Sequence, residues 1–252
     1  MRVIITGAST GIGAALARRY AREGATLGLI ARREPALREL AQSFPTPVEI
    51  YPLDVRDAAG LAAAGRAFLA RHGPPDIVIA NAGVSIGTLT DVADDTRVFQ
   101  EVMDINVMGL VNTFQPFVSA MREVRRGALV GIASVAGYRG LPGGSAYSAS
   151  KAAAITYLES LRVELTASGV RVVTICPGYV TTAMTARNPY AMPFIMSAET
   201  AAEKIFGIVA GGRTYAVIPW QMALVARCLS LMPNWLYDRV FARAPRKPRR
   251  ST

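Results

Sequence analysis

The 252-residue chain is predicted to be α/β: a single domain built on a doubly wound parallel sheet with helices on both faces. Three observations carry that prediction. Short apolar runs alternate with longer stretches of helical period, the pattern of successive β–α–β units. The run Asp76-Ile77-Val78-Ile79-Ala80 is almost continuously apolar, as a central strand buried on both sides must be. The first strand-like run leads straight into a glycine turn that opens a helix.

In order along the chain, Arg2-Val3-Ile4-Ile5-Thr6 is short, apolar and rich in β-branched residues, and reads as the first strand. Gly7-Ala8-Ser9-Thr10-Gly11-Ile12-Gly13 follows, and residues 14–23 have helical period. Further strands are expected at 25–30, 47–52, 76–80, 127–133, 170–176 and 214–218. Ala-, Leu- and Arg-rich stretches at 57–71, 97–122, 147–167 and 198–210 are expected as helices. No repeat or linker breaks the pattern before residue 219, so 1–218 reads as one domain, and an apolar fraction of 51% is ample for its core. Residues 219–242 are expected as an apolar helical extension of that domain. Within it, Trp220 to Met232 is strongly apolar, Pro233-Asn234 interrupts and can cap a second helix, and Trp235 to Phe241 follows. Residues 243–252 hold five Lys/Arg and no acid, interrupted by proline, and are expected to be a disordered basic tail.

A strand, a glycine turn and a helix together aim backbone N–H groups and a helix N-terminus at a phosphate. Glycine suits such a turn because a Cβ would block close approach of the phosphate. The spacing is Gly-x-x-x-Gly-x-Gly rather than the commoner Gly-x-Gly-x-x-Gly. Taken alone, the glycines also fit a tight turn that binds nothing.

Tyr147-Ser148-Ala149-Ser150-Lys151 sets a phenol and an ammonium four residues apart, thirteen residues after Ser134. On a helix, positions i and i+4 share a face. A nearby cation favours the phenolate, lowering the tyrosine pKa from about 10 so that the group can serve as acid or base. Ser134 can offer its hydroxyl to a substrate oxygen. The same spacing occurs in surface pairs that do nothing but meet solvent.

Several segments together resemble the short-chain dehydrogenase/reductase family, of the Tyr-x-x-x-Lys type, and the resemblance runs from residue 2 to about 218. Thr6 to Gly13 is similar to the family's cofactor loop, with Gly7, Ser9, Thr10, Gly11, Ile12 and Gly13 as contacts. Leu53-Asp54-Val55 resembles the segment beside the adenine ring, and Asn81-Ala82-Gly83 the turn after the fourth strand. Asn106, Ser134, Tyr147 and Lys151 match the family's catalytic residues in order and spacing. Pro177-Gly178-Tyr179-Val180-Thr181-Thr182 is similar to the stretch that borders the nicotinamide, with Pro177, Gly178, Val180 and Thr182 as contacts. Ala80 departs from the pattern, since many members have a further Asn there, at a position that supports the sheet more than the chemistry.

The resemblance implies a Rossmann-like fold, with 1–218 as its NADP-binding and catalytic domain. It implies that hydride passes from a nicotinamide to a ketone or aldehyde held by Ser134 and Tyr147, with Tyr147 as general acid. Lys151 would depress the Tyr147 pKa and hold the nicotinamide ribose. Asn106 would support a proton-relaying water; as an isolated residue it could equally be one that bends a helix. Enzymes of this type that use NAD carry an acid at the end of the second strand. Here the strand ends in Ala31-Arg32-Arg33, similar to the family's NADP pattern, and a guanidinium fork matches phosphate oxygens. NADP(H) is therefore expected over NAD(H), while Thr10 stands where some NADP users add another basic residue.

Residues 183–198 correspond to the family's substrate loop. Met184, Met192, Met196, Tyr190 and Phe194 make it an adaptable apolar lid suited to a hydrophobic substrate, with Tyr138, Leu141 and Tyr179 as further wall candidates. The lone His72 and the separated Cys176 and Cys228 supply neither a hydrolase triad nor a metal site. The sequence opens directly into a strand with no signal peptide, so cytoplasmic residence is expected. A homodimer or homotetramer is expected and nucleic-acid binding is not. The net charge of +10 and the apolar extension fit peripheral contact at the inner membrane surface. The extension equally fits a cover over the cleft or a subunit interface, and the charge fits an acidic acyl-carrier partner. Two other functions stay open: a 3-oxoacyl-thioester reductase, and a non-catalytic NADP-sensing or lipid-binding protein.

Overall fold

A computed structural model describes residues 1–186 and 188–250. Its strands, among the described residues, are β1 (Arg2–Thr6), β2 (Thr26–Ile30), β3 (Val48–Tyr51), β4 (Ile77–Ala80), β5 (Ala128–Ile132), β6 (Arg171–Pro177), β7 (Val180–Thr181), β8 (Met196–Ser197) and β9 (Tyr215–Ile218). Seven of them form one sheet in the order β3-β2-β1-β4-β5-β6-β9, and every pairing in it is parallel. The short β7 and β8 pair with each other. The helices are α1 (Gly11–Arg22), α2 (Glu34–Gln42), α3 (Ala58–His72), α4 (Asp95–Met103), α5 (Gly109–Glu123), α6 (Ser145–Glu164), α7 (Ala198–Ala210), α8 (Trp220–Leu231) and α9 (Asn234–Phe241).

Alternation along the strands explains their unbroken apolar character. Val3 and Ile5 of β1 and Ile77 and Ile79 of β4 enter one core, with Leu16 and Tyr20 of α1 and Ile205 of α7. Ile4 and Val78 enter the other, with Phe68 of α3, Phe114 of α5 and Leu158 of α6. A polar residue at any of these positions would be buried on one face or the other. The chain steps outward from β1 to β2 and β3, then returns past β1 to β4. Crossovers therefore leave β1 and β4 in opposite directions and open a crevice at the carboxyl ends of those strands.

The helix expected over 97–122 is two helices, α4 and α5, joined by a π-helical turn at Asp104–Met108. Such a turn admits one residue more than an α-turn, and it is common at functional sites. Asn106 sits in it and is fully bonded: Oδ1 accepts from the Val84 N–H at 2.8 Å, and Nδ2 donates to Val84 O and Ser150 Oγ, both at 2.9 Å.

Beyond β9, α8 turns back so that Met222 and Ala226 pack on Val135. Arg139 secures both helices of the extension. It donates to Leu229 O (3.1 Å), Met232 O (2.7 Å) and Asn234 Oδ1 (2.8 Å), and lies 4.3 Å over the Tyr237 ring. Trp220, Leu224, Leu231 and Trp235 face outward. No described helix is long and apolar enough to cross a membrane. Residues 243–250, for which composition predicts disorder, instead form a strap that returns to the body. Gly87 N–H donates to Pro248 O at 3.0 Å, Arg249 grips Asp95 with two bonds of 2.8 and 3.0 Å, and Arg250 pairs with Glu101. Counting charge in the tail alone misses the acids that answer it from α4 and the loop before it.

Candidate active site

The crevice begins with the glycine turn after β1. Asn81, just past β4, ties the two loops together: its Nδ2 donates to Thr6 O at 3.0 Å and Gly7 O at 3.3 Å, and its N–H donates to Thr6 Oγ1 at 3.2 Å. Gly7 has φ +67° and Gly11 φ +55°, both in the left-handed region that favours glycine. A Cβ on Gly13 would collide with Gly7 O, so only glycine lets the first turn of α1 pack against the loop. Thr10 caps α1 without a side-chain bond to it, and the first turn holds no acid. Backbone donors thus face a cleft of about 460 Å³ with nothing negative on their own helix to answer them.

At the end of β2, Ala31, Arg32 and Arg33 line the same cleft. Arg33 Nη2 is 3.4 Å from both Ser9 O and Ser9 Oγ. Arg32 Nη1 is 3.8 Å from Asp54 Oδ2, and the Arg32 side chain is 62% exposed. Asp54 is chiefly held by Arg56, which bonds both carboxylate oxygens and keeps the carboxyl below its usual range. The arginine pair is consequently open to a further anion. Glycines without clearance for a Cβ, an uncompensated helix N-terminus and two available guanidinium groups fit a phosphorylated dinucleotide.

Ser134 follows β5 and caps a 3₁₀ turn, its Oγ accepting from the Ala136 N–H at 3.1 Å. Tyr147 and Lys151 lie one turn apart on α6, as expected, with the ammonium directed at a backbone carbonyl rather than at the phenol. Lys151 Nζ donates to Ile132 O at 2.8 Å and stands 5.8 Å from the centroid of the Tyr147 ring. Burial pushes the Tyr147 phenol up, with a Ser134 hydrogen bond acting in the opposite sense. Burial also pushes Lys151 down to about 8. Desolvation is the largest influence on both groups, the ammonium of the buried Lys151 being directed at a carbonyl and the half-buried Tyr147 enclosed by the walls of the two cavities.

The cleft brings together Gly7, Ser9, Thr10, Gly11, Ile12, Arg32, Arg33, Asp54, Val55, Asn81, Ala82, Gly83, Ser134, Tyr147, Lys151, Pro177, Gly178, Val180 and Thr182. Gly13 does not line it and packs against Gly7 O and Asn81. Asn106 stands behind its wall, where a Cβ on Gly83 would come within 3.2 Å of Asn106 Oδ1 and 3.6 Å of Lys151 Nζ. A second cavity of about 380 Å³ meets the cleft at Ser134, Tyr147, Gly178, Met184 and Thr185. Leu141, Tyr179 and Tyr190 line it as expected; Tyr138 does not, its hydroxyl being bonded to that of Tyr215 at 2.6 Å. Arg187 of the expected substrate loop lies outside the described residues. Met222, Val225 and Leu229 of α8, Phe241 of α9 and Lys247 of the strap complete the wall. The extension's apolar sequence had allowed for a cover over the cleft, but nothing in it singled out these residues. No group of three or more His, Cys, Asp and Glu that could hold a metal occurs among the described residues. His72 instead meets Glu49 at 3.3 Å and the Phe68 ring.

Residues 1–192 match the family model described as short chain dehydrogenase. A protein of Myxococcus xanthus (strain DK1622) named "Uncharacterized oxidoreductase" is 42% identical over 238 residues, covering 93% of this chain and 94% of its own. Among solved structures, a short chain dehydrogenase/reductase from Burkholderia phymatum in complex with NAD is 25% identical, with a TM-score of 0.82 over 99% of this chain and 98% of that one. An alcohol dehydrogenase from the archaeon Thermococcus sibiricus, complexed with 5-hydroxy-NADP, is 28% identical, with a TM-score of 0.76 over 86% and 95% of the two chains.

Proposed function

The chain belongs to the short-chain dehydrogenase family and is an NAD(P)-dependent oxidoreductase, and from that premise we propose that it uses NADP(H) to reduce a hydrophobic ketone or aldehyde to the alcohol. The observation that carries this reading is the apolar cavity that opens onto Ser134 and Tyr147, where it joins the nucleotide-shaped cleft. Arg32 and Arg33 support NADP(H), since their guanidinium groups suit a 2′-phosphate and no acid ends β2 to bond a free ribose hydroxyl.

A reduced nicotinamide held in the cleft would supply a hydride for the carbonyl carbon. Ser134 and Tyr147 hold the carbonyl oxygen between two hydroxyls. Tyr147, kept a phenol by burial, gives its proton to the developing alkoxide and recovers one through Lys151 and, by way of a water held near Asn106, from solvent. One hydride and one proton thus convert the carbonyl to the alcohol. Lys151 would also hold the nicotinamide ribose.

The same apolar cavity supports a second reading, reduction of a 3-oxoacyl thioester delivered by an acidic carrier. The outward face of Trp220, Leu224 and Trp235 supports a homo-oligomer or peripheral contact with an anionic membrane surface in a cytoplasmic protein. The test is a panel of long-chain and polycyclic carbonyls and acyl-carrier thioesters, with cofactor consumption followed optically and the alcohol identified by mass. Free hydrophobic carbonyls should be reduced. Turnover confined to carrier-borne substrates would favour the second reading. Tight cofactor binding without turnover would favour a sensor.

A further inference from the structure

The cavity proposed for the substrate holds a cation with no acid beside it among the described residues. Two basic side chains line it among the described residues, Arg139 and Lys247, and no acid does. Arg139 is fully engaged in holding α8 and α9 together. Lys247 has neither an ion pair nor a side-chain hydrogen bond among the described residues. Its Nζ lies 5.7 Å from the centroid of the Tyr147 ring, and burial holds the ammonium below the usual lysine range. A desolvated ammonium with no counter-ion is unfavourable, and an anion entering the cavity would relieve it.

The surrounding chain fixes that lysine in place. Two residues further along the strap, Arg249 is clamped by Asp95, whose Oδ2 also accepts the Leu89 N–H at 2.7 Å. Gly87 lies flat against the strap, where a Cβ would collide with Lys247 O. Ser85, on the same segment as Gly87, lines the cavity, and its hydroxyl is buried without a hydrogen-bond partner. Among the described residues, an ammonium without an acid beside it and a hydroxyl without a hydrogen-bond partner therefore line the same cavity. Tyr147, whose ring lies under the Lys247 ammonium, lines that cavity too.

We propose that Lys247 and Ser85 form a carboxylate-recognition site, so that the substrate is an apolar carbonyl compound bearing a carboxylate a few bonds from the reacting carbon. This rests on the cavity being the substrate site. The carboxylate takes the ammonium on one oxygen and the seryl O–H on the other, while the apolar chain runs toward Leu229 and Phe241. Lys247 acts here as a specificity-determining residue.

The test compares 4-oxodecanoate with its methyl ester, using NADPH and the full-length protein. The wild type should favour the acid. Lys247→Met should lower kcat/KM for the acid by about 10–100-fold, the span of a lost charge-assisted hydrogen bond. The loss should lie mainly in KM, and the acid-to-ester ratio should collapse. Ser85→Ala should lower the ratio less, in the same direction. Equal losses on acid and ester, or a wild type that prefers the ester, would overturn the proposal. A second measurement needs no turnover: calorimetric binding of decanoate and decanamide to the NADP⁺-saturated protein. Tighter decanoate binding that Lys247→Met removes would uphold the site even if neither ketone were reduced, in which case the carbonyl-reductase reading alone would fall. Equal binding of the two probes would overturn the site itself.

Discussion

Burial governs the protonation of the pair on α6, and the consequences can be measured. Tyr147, pushed up, stays a phenol through the neutral range, whereas Lys151, pushed down to about 8, loses its charge within the range of an ordinary assay. The folded Lys151 binds its proton less tightly than the free residue does, so the ammonium is half-titrated at about 8, nearly complete a unit below and largely lost a unit above. Reductive kcat should therefore be steady at acidic to neutral pH and decline as pH rises through about 8; a rate that climbs through that range would mean the titrating group acts as a base. Tyr147→Phe should cut turnover by about 10²–10⁴-fold, the usual contribution of general acid catalysis, while NADPH binding, read by fluorescence titration, persists. Undiminished turnover would remove the proton from Tyr147. The helical spacing of Tyr147 and Lys151 was legible in the sequence. The sense of the tyrosine shift was not, because four-residue spacing puts two side chains on one face without saying that Ile132 O takes the ammonium.

The elements show the same division between local and remote information. β1, its glycine turn and α1 are contiguous, so their geometry follows from residue types that the chain displays side by side. The arginines after β2 are legible for the same reason. Arg32→Glu should weaken NADPH binding much more than NADH binding, since it puts a negative charge where a 2′-phosphate would lie; equal weakening of both, in parallel fluorescence titrations, would argue against that contact. The π-helical turn was hidden inside an unbroken helical period, and the partners of the Asn106 side chain within it, Val84 and Ser150, lie far away in sequence. The strap was hidden more deeply. Arg249 and Asp95 are 154 residues apart, and a pair so distant leaves no periodic trace. Lys247 accordingly read as one more charge in a basic tail until the fold brought it beside Tyr147.

At the scale of the whole molecule, the sheet does two things at once. Its two buried faces demand apolar strands on both sides, which made the α/β class readable from the runs alone. Its order, with β1 and β4 side by side and their crossovers leaving in opposite directions, opens the crevice in which the glycine turn, the arginines and the Ser134–Tyr147–Lys151 group meet. The extension closes the other half of the site: α8, α9 and the strap wall the cavity that a carbonyl compound would enter. The most direct test of this account is the steady-state kcat/KM for reduction of one long-chain ketone driven by NADPH and by NADH, with the alcohol product quantified. NADPH should be oxidised only when ketone is present, with stoichiometric alcohol and a clear advantage over NADH. No ketone-dependent oxidation of either cofactor, or an advantage for NADH, would contradict it.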